Sequence, residues 1–407
     1  MKKTVMKEYA KLIASVGANV QKGQEVIITA EMDQPEFVAY VAEACYKLGA
    51  KKVTVDWKND ALTKLHAKYQ KLNVLSTVEA WEEAKLQHMV DVLPARIYIM
   101  SEDPDGLKGI PQPKYSKALA ARGKITKPYR QAINNKHQWT IAAVPGEKWA
   151  KKVFPNLSKR QAMEALWEAI LSCARAEGDA VANWEAHNAE MDAHAAYLNS
   201  KNIRKLRYKS SNGTNLVVGL MEQSQFCAAC DVTLDGVHYT PNMPTEEVFT
   251  TPKKGEAEGV VVASMPLSYQ GQLIENFSME FKDGKVVSVK AEKNEALLQR
   301  MVEMDENAGY LGECALVPKE SPINQSGLIF YNTLFDENAS CHLALGMGYD
   351  NCVKDFEKYT REELEEMGVN DSVIHVDFMI GTDDMEITGI TAEGEEIAIF
   401  RNGTWAF

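Results

Sequence analysis

The stretch "EVIITAEMDQPEFVAYVAEACYKLGAKKVTVDW", residues 25–57, restricts the possible folds of this chain more than any other. "EVIITA" is a short, continuous apolar run, the pattern of a strand covered on both faces. "DQPEFVAYVAEACYKLGA" then changes to helical spacing. Phe37, Val41, Cys45 and Leu48 recur along it, Asp33 stands where an N-cap would, Pro35 suits the first turn and Gly49 ends it. "KKVTVDW" alternates as a second strand, which completes a β-α-β unit. "RIYIM" and "WTIAAV" supply two further strands, so the first half of the chain predicts a doubly wound α/β domain.

At 407 residues the chain is too long for one simple core. The character of the sequence changes near residue 200, which predicts an α/β N-terminal domain over 1–200 and a second domain over 201–407. Residues from about Leu157 to Asn199 read as helical, with Ser158 and Gln161 as a capping box. Beyond them come alternating runs and tight turns. "FSMEFKDGKVVSVKAE" carries Asp283-Gly284 between two alternating segments, and "MEITGITAEGEEIAIFRNGTWAF" reads as another hairpin. The second domain is therefore expected to be mainly antiparallel β.

The balance of charge excludes some partners. A net charge of −12 with a pI near 5.3 argues against nucleic acid, whose binding needs clustered positive charge. The N-terminal lysines resemble the start of a signal peptide, but Glu8 and Lys11 interrupt any apolar core and leave an amphipathic helix. No run of eighteen apolar residues occurs, so no membrane span is expected. The seven scattered cysteines suit reduced thiols and a cytoplasmic setting.

Several familiar motifs are missing or incomplete. "TAEMDQPE" has no glycine, so the first strand lacks a dinucleotide cradle. Neither a P-loop nor a G-x-S-x-G elbow occurs. "FCAACD" holds a C-x-x-C (Cys227, Cys230) with no second pair to complete a zinc site, and reads as two packed thiols. "WEAHNAEMDAH" sets His187, Glu190 and His194 on one helical face, shared in part by Ala180, Trp184 and Met191. Its spacing differs from H-E-x-x-H, and a packed helix with a wet edge is the expected reading.

"DSVIHVDFMIG" is more informative. Ile374, Val376, Phe378 and Ile380 share one face at period two, so His375 and Asp377 share the other. A solvent-facing strand explains this, and so does a metal site, where imidazole and carboxylate converge on an ion. "GYLGECALVP" puts Glu313 against an apolar run, a poor place for an unpartnered carboxylate. "PNMPTEEVFTTP" holds two glutamates between prolines. "NTLFDENASCHLALGMGY" reads as a short helix or turn, with Asp336 near its start, His342 inside it and Tyr349 beyond two glycines.

These four segments, in this order and followed by the terminal "IFRNGTWAF", resemble the aminopeptidase T / aminopeptidase S family of metallopeptidases. The resemblance extends to "YAKLIASVGANVQKGQEVIITA" and "KLGAKKVTVDW" in the first half. It implies that Glu247, Glu313, His342, His375 and Asp377 are metal ligands and Tyr349 is an active-site residue. On chemistry alone Glu246 and Glu247 are interchangeable, and the positional match favours Glu247. The resemblance also implies two divalent ions (zinc, cobalt, manganese or magnesium), short peptides with a free N-terminus as substrates, and a homodimer. The implied activity is that of a metal-dependent aminopeptidase. A different metal-dependent dipeptidase or amidohydrolase is the first alternative, and a two-domain protein that binds a small ligand the second.

Overall fold

The apolar run at residue 25 becomes strand β1 (Glu25–Glu31), in which Val26, Ile28 and Ala30 are buried. The computed structural model describes residues 1–270 and 272–407. In it β1 lies between β2 (Lys52–Lys58) and β3 (Ala95–Met100), and β4 (Trp139–Ala143) and the short β5 (Asn242–Met243) follow. The sheet order is β2-β1-β3-β4-β5 and every pairing is parallel. Parallel neighbours need crossovers, and helices such as Pro35–Lys47 provide them. The cap of that helix is Gln34 rather than Asp33. The Asp33 carboxylate instead accepts a 2.7 Å hydrogen bond from Ser101 Oγ, just past β3. Ser158 and Gln161 form the expected capping box of helix Lys159–Cys173.

The chain divides into one unit of Met1–Ala186 with Cys230–Pro244, and another of His187–Ala229 with Thr245–Phe407. The sequence reading puts a single division near residue 200. In the structure Cys230–Pro244 returns to the first unit, where Asn242 and Met243 pair with Ile141 and Ala142.

The second unit contains, among its described residues, a nine-stranded sheet whose pairings are antiparallel. Its hairpin between Gln272–Lys282 and Lys285–Lys293 turns at Asp283 and Gly284, with φ of 51° and 79°, the left-handed pair that a two-residue turn requires. A separate four-stranded antiparallel sheet carries the residues of greatest chemical interest. Its strands are β6 (Val248–Thr250), β7 (Leu311–Leu316), β8 (His342–Gly346) and β9 (His375–Met379), adjacent in that order. His342 thus opens a strand and does not lie in a short helix or turn. The helical segment is confined to Thr333–Asp336 and the following turn. All five residues of β8 are buried, so the run lacks the alternation that identifies a strand.

Candidate metal centre

The register of the four-stranded sheet determines where its polar side chains point. Directly opposed residues of an antiparallel pair project to the same face. Ala344 of β8 is opposed by Glu313 on one side and by Asp377 on the other. Gly346 is opposed by His375, and His342 lies two residues before Ala344 on the same face. In β6 Phe249 is opposed by Ala315, so Glu247, two residues earlier, continues this face. Five side chains of types that can bind a metal, from four separate segments, therefore share one face. At the middle of that face the central strand carries only Ala344 and Gly346. The opposite face holds Val248, Cys314, Leu316, Leu343, Leu345 and Phe378, all in the hydrophobic core. Burying a leucine or phenylalanine fully stabilises by about 1.5–3 kcal/mol, so a one-residue slip of β8 would forfeit several such contributions.

The turn after β8 needs its glycines. Gly346 has φ of 103°, and a Cβ there would lie 2.1 Å from the Ile374 carbonyl oxygen. The chain can then bend so that Tyr349 returns over the ligand face. Its hydroxyl lies 3.1 Å from His375 Nε2, and its ring meets Phe249 edge-on at 5.5 Å.

The five side chains form two overlapping groups. Glu247, Glu313 and His342 place ligand atoms within 4.8 Å of one another, as do Glu313, His375 and Asp377. Glu313 belongs to both. His342 Nε2 lies 3.0 Å from Glu247 Oε2, and His375 Nε2 lies 3.1 Å from Glu313 Oε2. The opposite ring nitrogens face main-chain carbonyls: His342 Nδ1 that of Ser340 at 3.1 Å, His375 Nδ1 that of Met347 at 2.7 Å. A carbonyl can only accept, so each Nδ1 carries the proton and each neutral ring presents a lone pair at Nε2. Lone pairs so close to carboxylates repel unless a proton or a cation lies between them.

The electrostatics describe the same demand for positive charge. Burial disfavours charge on His342, but the Glu247 carboxylate outweighs it and raises the imidazole to about 10. Burial, with a smaller contribution from Glu247 and Asp377, lifts Glu313 to about 7. Asp377 Oδ1 is buried and finds no hydrogen-bond partner among the described residues, with His375 Nε2 3.4 Å away. An orphaned carboxylate oxygen and two aligned Nε2 lone pairs in an oxygen- and imidazole-rich set fit a divalent cation.

Neighbouring residues hold this set in place. Glu246 is buried beside Glu247 but belongs to neither group, and its backbone N–H donates to Asn338 Oδ1 at 2.8 Å. His187, from "WEAHNAEMDAH", has Nε2 2.8 Å from the Thr245 carbonyl oxygen, while His194 stacks on Trp405. Both belong to a packed helix, as that segment's spacing predicts. Cys227 has its Sγ 4.0 Å from that of Cys352, and Cys230 Sγ donates to the Tyr239 carbonyl oxygen at 3.2 Å. Glu337 was not singled out from sequence. Burial, then Asp377 and Glu247, push its carboxyl well above the usual range, which places it in the field of the cluster. In sequence it is one more acid in "FDENAS", and only its nearness to Asp377 and Glu247 distinguishes it.

Comparison with known proteins finds relatives over the whole chain. The profile of the thermophilic metalloprotease (M29) family matches residues 2–405. Aminopeptidase AmpS of Bacillus subtilis is 43% identical over 98% of both chains, and Aminopeptidase 2 of Geobacillus stearothermophilus is 38% identical over 98% of this chain and 97% of its own. The solved structure of wild-type AmpT from Thermus thermophilus superposes with a TM-score of 0.90 over the whole of both chains, at 37% identity. The chain therefore belongs to the M29 family of thermophilic metalloproteases.

Proposed function

We infer that the protein is a metal-dependent aminopeptidase that removes N-terminal residues from short peptides, with the second unit as its catalytic domain. One observation carries this reading. Two histidines, His342 buried and His375 half-buried, each fixed through Nδ1 to a main-chain carbonyl, turn Nε2 onto three carboxylates on one face of a sheet. Glu247, Glu313 and His342 would hold one divalent ion, and Glu313, His375 and Asp377 a second, with Glu313 common to both. Such ions supply Lewis acidity and water activation at neutral pH.

The remaining steps belong to the chain's own residues. Tyr349 is half-buried as a residue, but loss of solvent at its hydroxyl, then Glu313 and Asp377, keep the phenol protonated well above its ordinary range. It is therefore a hydrogen-bond donor at neutral pH, and we assign it to the carbonyl oxygen of the scissile bond as negative charge develops there. Three carboxylates leave little tolerance for an acyl-blocked N-terminus without positive charge, and a substrate's free α-ammonium or amine suits the cluster. The names of the relatives, Aminopeptidase AmpS and Aminopeptidase 2, support the same substrate class. The reading extends to a cytoplasmic homodimer. Seven scattered cysteines suit a reducing compartment, and no helix among the described residues is long and apolar enough to cross a membrane.

The test is metal removal and add-back. Chelation is expected to abolish hydrolysis of aminoacyl-arylamides and to lower Tm. Zinc, cobalt, manganese and magnesium are then returned one at a time, with bound metal counted directly. A ligand present at about 100 times its Kd adds about 2.7 kcal/mol to stability, which is readable without any activity. Full activity after metal is shown to be gone would defeat the reading. Equal turnover of N-blocked peptides would replace the aminopeptidase by a broader amidohydrolase.

A further inference from the structure

Tyr349 lies three residues beyond β8, where no strand ladder fixes it, yet the role assigned above needs its hydroxyl held to a fraction of an ångström. Its main-chain groups reveal what holds it. The Tyr349 N–H donates to Thr251 Oγ1 at 2.8 Å, and the Thr251 hydroxyl lies 3.3 Å from the Tyr349 carbonyl oxygen, to which it donates. One side chain thus grips both peptide groups of one residue. Thr251 is fully buried and immediately follows β6, four residues after Glu247. Its methyl closes on the preceding glycine: a Cβ on Gly348 would lie 2.7 Å from Thr251 Cγ2. The other side of the turn is fixed by main chain, since the Gly348 N–H donates to the Asn370 carbonyl at 2.8 Å. Phe249, two residues before Thr251, meets the Tyr349 ring edge-on.

We propose that Thr251 is a positioning residue for the reaction: its hydroxyl, clamped on the backbone of Tyr349, sets where the phenol meets the substrate. The proposal rests on the reading that Tyr349 donates to the reacting carbonyl. Thr251 is buried and belongs to neither ion group, so on this reading its removal should weaken the reaction without weakening substrate capture. A hydroxyl that merely satisfied a buried N–H would affect folding alone.

The experiment is a double-mutant cycle in the metal-loaded enzyme. Thr251→Val keeps the shape and removes the hydroxyl; it is expected to lower kcat about 10- to 100-fold, with KM within about twofold and bound metal unchanged. Thr251→Ser restores the hydroxyl and should recover kcat to within about threefold. Tyr349→Phe alone is expected to lose about 100- to 1000-fold in kcat. In that background Thr251→Val should cost less than about twofold more, because there is no longer a hydroxyl to place. Equal losses in the two backgrounds would overturn the positioning role and leave the Tyr349 assignment standing. A Tyr349→Phe enzyme with wild-type kcat would overturn both. If Thr251→Val does not fold, Thr251→Ala and Thr251→Ser take its place, and a Ser variant as impaired as the Ala variant overturns the proposal.

Discussion

Each unit of the molecule gathers acidic side chains on a sheet, at the strand ends in the first and on one face in the second, and the two gatherings are stabilised by different means. In the first unit Glu31 ends β1, Asp60 follows β2, and Glu102 and Asp103 follow β3. These are the carboxyl ends of parallel strands, where open α/β sheets commonly present a site. Their neighbours are lysines: Lys148 lies 3.1 Å from Asp103, and Lys152 lies 2.9 Å from Asp105. Burial raises Glu102 above its ordinary range and so favours its neutral form. In the second unit the lysines are replaced by two imidazoles with their Nδ1 atoms tied down, and the ligand atoms lie close enough to share an ion. The difference is in the donors more than in the number of charges. Acids beside lysines, or neutralised by a proton, need no shared ion, whereas acids facing ring nitrogens need a proton or a cation between them.

The strongest test of that contrast is Glu313→Gln. Glu313 belongs to both groups, so the substitution removes charge from each at once. Activity is expected to fall by more than about 100-fold, with bound metal reduced in parallel. The matching change in the first unit, Glu102→Gln, should leave both within about twofold. A Glu313→Gln enzyme with full metal content and near-normal kcat would erase the distinction between the two regions.

A finer test lies within one dipeptide. Glu247 Oε2 faces His342 Nε2, whereas Glu246 belongs to neither group although it is similarly buried. Glu247→Gln is expected to cost about 10- to 100-fold in metal affinity, and Glu246→Gln less than about threefold. Titration of the metal-stripped proteins, followed by the rise in Tm, measures this without using turnover. The reverse ranking would move the ligand one residue back and break the register argument for the shared face.

The same contrast explains what the sequence made legible. The strands "EVIITA" and "HVDFM" could be read from their residue types, a continuous apolar run in the first and polar-apolar alternation in the second. Glu313 was conspicuous because a carboxylate inside "GECALVP" has no water to solvate it. His342 was identifiable as a residue but not in its conformation. A strand buried on both sides and a buried helix segment use the same letters over five positions. Ala344 left no signal, since its importance lies in the side chain it lacks between Glu313 and Asp377. Thr251 and Glu337 were equally silent: a hydroxyl that grips a distant backbone and a glutamate drawn into a distant charge cluster are set by tertiary contacts. The return of Cys230–Pro244 to the first unit depends on the two-residue pairing of β5 with β4, too short to leave a periodicity.

The smallest expected effect concerns the first region alone. Burial, then Glu102 and Asp60, raise Glu31 to about 7, against about 4.3 for an unperturbed glutamate. The folded state therefore keeps this proton to higher pH than the unfolded chain does. Below about pH 4 both states are protonated and the group contributes no pH dependence. Between about pH 4 and 7 the unfolded chain ionises first, so stability falls as pH rises, and above 7 the full cost is present. Glu31 is partly solvated, which keeps the effect below about 1 kcal/mol. Glu31→Gln removes the titration, so its urea midpoint should gain on wild type between pH 5 and pH 8, with kcat and bound metal unchanged. A gain of the same size at both pH values would show that the substitution acts through packing and that no proton is retained at Glu31. A change in metal content would show that the two acidic regions are coupled, and the contrast drawn between them would have to be abandoned.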